Sequence, residues 1–111
     1  MKLKEFENMV DEHSLLPGNN LYNSNALCGE AGELANISKK IEIFALNPDW
    51  IADKTLSVEY FKAQELDELG DVLFYLIRKI HDTGLTIEEI MDFQRIKLVN
   101  QTKKYGRIFK K

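Results

Sequence analysis

The chain has 111 residues, 44% of them apolar and 30% charged, with a net charge of −3 at neutral pH, a composition expected of one soluble all-α or mixed domain spanning 1–111 and not of a disordered tail. An acidic balance with a pI near 5.4 supplies no basic footprint for nucleic acid, so a site for an anionic ligand must be made locally or by metal ions. The lone cysteine, Cys28, excludes an internal disulfide and a cysteine-based zinc site, and fits a reducing, cytoplasmic setting.

The N-terminal stretch from Met1 to His13 is charged throughout and has no apolar core of the signal-peptide kind. A first helix is expected from Lys2 to about Glu12, with Leu3, Phe6 and Val10 on one face. Leu16-Pro17-Gly18-Asn19-Asn20 breaks the chain, and a long second helix follows from about Leu21 to Phe44. Ala45 to Leu56 reads as a connection, with turn chemistry at Asn47-Pro48-Asp49. Ser57 is placed to N-cap a third helix that reaches about Asp82, where Gly84 supplies a left-handed stop. Its apolar run from Val72 to Ile77 is too short to span a bilayer. Thr86-Ile87-Glu88-Glu89 is a capping box that opens a fourth helix to about Tyr105, before Gly106. No alternating β-branched run argues for a strand. The expected fold is all-α, an antiparallel helical bundle. Two such long helices present more apolar surface than one short domain can cover, and dimerisation is the expected remedy.

Glu30 and Glu33 stand in Leu27-Cys28-Gly29-Glu30-Ala31-Gly32-Glu33-Leu34, in small and apolar company. At about 100° per residue, Leu27, Leu34, Ile37, Ile41 and Phe44 form one stripe, with Glu30 in its middle and Glu33 at its border. An unpaired carboxylate buried there costs several kcal/mol or more, so a cation must face it. The third helix carries a second pair, Glu68 and Asp71, with the same spacing. On the wheel this pair lies roughly opposite the stripe of Leu66, Leu69, Leu73, Leu76, Ile77 and Ile80, which leaves open an ordinary solvated face. Gly29, Gly32 and Gly70 lie beside the acids. Each costs a helix roughly 1 kcal/mol relative to alanine, and each permits close approach by another helix or a ligand. Four carboxylates from two helices suit Mg²⁺, a hard cation that takes oxygen ligands, with Mn²⁺ as the substitute. Di-iron bundles need Glu-x-x-His motifs, and neither His13 nor His81 follows a glutamate at that spacing.

With its glycines and the apolar extension in Asp67-Glu68-Leu69-Gly70-Asp71-Val72-Leu73-Phe74-Tyr75-Leu76, this pattern resembles the MazG-like nucleotide pyrophosphohydrolases of the all-α nucleoside triphosphate pyrophosphatase superfamily. The resemblance covers about residues 21–106 and maps the family's acidic tetrad onto Glu30, Glu33, Glu68 and Asp71. It implies Mg²⁺-dependent hydrolysis of a nucleoside triphosphate, often a deoxynucleotide, to monophosphate and pyrophosphate. It implies metal ligation by the four acids, with Glu33 as catalytic base, and homodimers or homotetramers with sites at subunit interfaces. Asn100, Lys103 and Lys104 resemble the family's C-terminal phosphate-contacting element. The stretch from Ala45 to Leu56 is longer than the usual spacer between the two pairs. Three alternatives stand beside this reading: a catalytically weak metal- or nucleotide-binding regulator, an enzyme acting on phosphoribosyl-ATP, and a structural helical protein whose acids pair with Lys39, Lys40 or Arg78.

Overall fold

Ser57 begins its helix as a capping serine should. Its backbone is extended and its Oγ accepts from the Tyr60 amide at 3.1 Å, which satisfies one of the donors a helix leaves open at its start. In the computed structural model, which describes residues 1–14, 20–50 and 57–105, the elements are α1 (Leu3–Glu12), α2 (Asn20–Leu46), a 3₁₀ turn (Pro48–Trp50), α3 (Val58–Thr83) and α4 (Ile87–Tyr105). The described residues are helical apart from short connections, and none of them forms a strand.

The punctuation expected from sequence holds with small changes. α2 runs past Phe44 to Leu46, and Pro48 opens the 3₁₀ turn. Gly84 ends α3 in the left-handed region at φ 77°, where any other residue would be strained. At α4, Thr86 Oγ1 accepts from the Glu89 amide at 3.1 Å and also donates to Glu89 Oε1 at 3.1 Å. The glutamate thus answers the hydroxyl of its cap. α1 has no side-chain cap at Lys2, but its last turn is closed by His13 Nδ1 donating to the Met9 carbonyl at 2.8 Å and Ser14 Oγ donating to the Val10 carbonyl at 2.7 Å. The break at 15–19 and the Gly106 stop lie outside the described residues.

α2 and α3 pack as an antiparallel pair. Asn23, near the start of α2, donates to Asp82 at the end of α3, and Phe44, near the end of α2, packs on Phe61 at the start of α3 with ring centroids 6.0 Å apart. The expected stripe of α2 faces this partner: Ile37 is buried, and Leu27, Leu34, Ile41 and Phe44 are half-buried. α1 crosses the α3 end of the pair and buries Val10.

On α3 the wheel misplaces the packed face. Leu66, Leu69, Leu73 and Leu76 are exposed, whereas Phe61 and Ile77 are buried and Glu68 and Asp71 are half-buried. α3 is rotated away from the expected leucine face, although Ile77, a member of that stripe, is buried together with Phe61. That rotation turns the acidic pair towards α2 and the leucines outward. The solvated-face reading of Glu68 and Asp71 is therefore corrected. α4 packs along neither α2 nor α3 and exposes Met91, Phe93, Ile96, Leu98 and Val99, with Phe93 73% exposed. The radius of gyration, 18.1 Å, exceeds the roughly 13 Å of a compact chain of this length.

Four apolar side chains are buried among the described residues: Val10, Ile37, Phe61 and Ile77. Apolar surface on α3 and α4 is left without cover in the single chain.

Candidate metal centre

Glu30 lies within the buried stripe of α2, and the rotation of α3 brings Glu68 and Asp71 opposite it. One carboxylate oxygen from each of Glu30, Glu68 and Asp71 can be chosen so that all lie within 4.8 Å of one another, a spacing that one cation can bridge. Glu30 Oε2 and Glu68 Oε2 are shut off from solvent with no hydrogen-bond partner. Buried oxygens in that state are costly and call for a positive group.

Glu33 is more exposed than the other three and lies at the rim of the cluster. Its carboxyl group is within hydrogen-bonding reach of both Glu30 and Glu68. All four acids are therefore neighbours. The half-buried three form the inner set and Glu33 the edge that faces water.

Crowding appears in the electrostatics. Desolvation, together with hydrogen bonds and repulsion from Glu33 and Glu30, pushes Glu68 up to about 7. Desolvation and the charges of Glu33 and Asp71 raise Glu30 above the usual carboxylate range. Asp71 is raised by desolvation and then by Asp67 and Glu33. Asp67, absent from the sequence-level site, thus adds to the negative field. Cations placed nearby would have the opposite effect. Lys39 and Lys40 are exposed, and Arg78 pairs with Asp11 at 3.1 Å and Asp82 at 3.2 Å. Arg78, one of the cations a purely structural protein would pair with the cluster, is thus engaged with Asp11 and Asp82.

The donor set fits a hard divalent ion: oxygen only, anionic, from two packed helices. Next to it, Tyr75, one turn after Asp71, meets Tyr22 of α2 edge-to-face with centroids 6.5 Å apart. A hydrogen bond with Tyr22, then desolvation, then the charges around it, including Glu30 and Asp71, raise the Tyr75 phenol. Its i, i+4 relation to Asp71 puts the two side chains on one face of α3.

The glycines do not serve packing within the chain. A Cβ built at Gly29, Gly32 or Gly70 meets nothing within 4 Å. The space beside the acids is open. Asn100, Lys103 and Lys104 lie on α4, which does not run beside α2 or α3, so helix packing does not bring them to the acids of their own chain. Comparison with known proteins finds no matching family model, no matching characterised protein and no matching solved structure.

Proposed function

We propose that the chain is a MazG-like nucleoside triphosphate pyrophosphohydrolase, with a deoxynucleotide as the first substrate class to test and monophosphate and pyrophosphate as products. What supports this reading is the convergence of Glu30, Glu68 and Asp71 within 4.8 Å, with two buried oxygens that have no partner. Glu30, Glu68 and Asp71 would hold the ion, and Glu33 would complete the set at its edge. Bound Mg²⁺, or Mn²⁺, would offset the charge of the substrate phosphates and make a coordinated water more acidic. Glu33, the acid most open to water, takes the proton as the water oxygen bonds to the α-phosphorus and the bond to pyrophosphate breaks.

The acids bind nothing anionic unaided, because their own charge repels phosphate. Cationic side chains must reach the same space. Lys103 and Lys104, with the neutral amide of Asn100 beside them, would do so from a second copy, since α4 is not seated beside its own cluster. The exposed apolar rows of α3 and α4 are the surface that a homodimer, or a homotetramer, would cover. The working form is thus a homo-oligomeric helical bundle.

Product analysis over a panel of nucleoside triphosphates with Mg²⁺ tests the reading. The expected result is monophosphate plus pyrophosphate, lost in Glu30→Gln and Asp71→Asn. Release of diphosphate plus orthophosphate places attack at the γ-phosphorus and ends the assignment. Phosphoribosyl-ATP in the same panel separates the related activity.

A further inference from the structure

A second polar cluster lies where α1 crosses α3, apart from the acidic tetrad. Glu7, 6% exposed, and Asp11 stand one turn apart on α1. Both reach the same histidine of α3: His81 Nε2 is 3.0 Å from Glu7 Oε1, and His81 Nδ1 is 2.7 Å from Asp11 Oδ1. Arg78 bridges Asp11 and Asp82, and Asn23 of α2 donates to Asp82.

Carboxylates only accept hydrogen bonds, and a neutral imidazole donates from one nitrogen alone. Both contacts form together only when the ring carries two protons. We infer that His81, Glu7 and Asp11 are a proton-operated latch that docks α1 on α3 while the ring is an imidazolium and releases it when the second proton leaves. With the proton, two cations, Arg78 and His81, face three carboxylates, Glu7, Asp11 and Asp82. Without it, Arg78 still pairs with Asp11 and Asp82, Glu7 loses the charge of His81, and one ring nitrogen lies lone pair to lone pair against a carboxylate. Lys4 and Glu88, of opposite charge, line the same open cavity as Glu7, Asp11 and His81. Burial opposes the charged ring, but the hydrogen bonds and charges of Asp11 and Glu7 prevail and lift its midpoint above the ordinary histidine value.

Release has a place to act. The end of α1, at His13 and Ser14, closes a cavity of about 90 Å³ against Tyr22, Phe74 and Tyr75. Undocking α1 opens that cavity beside the two tyrosines that border the acidic cluster.

The test uses the intact protein without metal. The ring nitrogens of His81 are followed by NMR from about pH 5.5 to 9, a range spanning ordinary histidine titration, with hydrogen exchange of α1 amides normalised to those around Ile77. Expected are two ring protons on His81 at low pH, a midpoint above the ordinary histidine value, and α1 protection that falls through that midpoint while the Ile77 region stays protected. The fall should be about tenfold for every pH unit separating the docked and undocked midpoints. His81→Gln should abolish the pH dependence, and His13→Gln should keep it. A His81 midpoint at or below the ordinary value overturns the inference, as does α1 protection that ignores pH. Simultaneous loss of protection in α1 and around Ile77 also overturns it, because the event is then unfolding and not release.

Discussion

Two groups of carboxylates gather along α3, one with α1 and one with α2, and they are treated in opposite ways. At the α1 end, Glu7, Asp11 and Asp82 meet Arg78 and His81 at 2.7–3.2 Å. Despite the cost of burial, hydrogen bonds and charge from His81 and Arg78 hold the Asp11 carboxyl below the usual range. Further along α3, Glu30, Glu68 and Asp71 converge with no such cation, and all three are raised. α3 contributes acids to both. The contrast separates a charge cluster that the fold neutralises from within from one that needs an ion from outside. Burial alone does not distinguish them, since Glu7 and Asp82 in one group and Glu30, Glu68 and Asp71 in the other are half-buried or deeper; the neighbouring cations do.

The largest effect expected from this contrast is at Arg78. Arg78→Met strands Asp82, whose side chain is 2% exposed, and a buried charge left without its partner costs about 3–5 kcal/mol. Urea denaturation measures it. Glu68→Gln, on the same helix, removes a repelled charge and should leave the metal-free protein at least as stable. Equal losses in the two variants would erase the distinction between the clusters.

Mg²⁺ comes next. An ion that binds only the folded state stabilises it by about 2.7 kcal/mol at a hundredfold excess over its Kd. Melting should rise with Mg²⁺ in the natural chain and in His81→Gln, and should be flat in Glu30→Gln and Asp71→Asn. A Mg²⁺ response that persists in both acid variants would put the ion elsewhere.

Glu68 and Asp11 also predict opposite limbs of a pH–stability curve. Glu68 has a folded midpoint near 7, above its ordinary 4.5, so the unfolded chain gives up that proton first. Metal-free stability should therefore fall as pH rises from about 4.5 to about 7, and Glu68→Gln should flatten this limb. Asp11 is lowered from 3.8. Its contribution is present above that value and is lost as pH falls through the lower folded midpoint, so Asp11→Asn should remove part of the acid limb. Equilibrium unfolding across pH for the two variants measures both limbs.

The smallest effect concerns the open space beside the acids. Gly29→Ala meets no atom within 4 Å, so helix propensity should stabilise the metal-free single chain by up to about 1 kcal/mol. Unchanged turnover in that variant would mean that neither substrate nor a second copy uses the space. Lost turnover in a more stable protein would place one of them there.

Much of this molecule was legible along the chain because its signals are local. Ser57, Gly84 and Thr86 each act on backbone within three residues, so the helix ends could be read without knowing the fold. The position of Glu30 in the stripe of Leu27, Leu34 and Ile37 was equally local, and it alone marked a carboxylate aimed at the partner helix. Periodicity gives an angle around a helix axis, but it does not say which angle meets a neighbour when two faces can pack. On α3 the row of Leu66, Leu69, Leu73 and Leu76 suggested one answer, and the packed pair gives the other, leaving those leucines exposed and Glu68 and Asp71 half-buried. The latch was hidden for a different reason. His81 meets Asp11 and Glu7 across 70 and 74 residues of chain, and nothing local to an i, i+4 acid pair on α1 tells it apart from a solvated face. Helix identity is written in neighbours along the chain; the contacts of these charged groups were decided only when packing chose their neighbours in space.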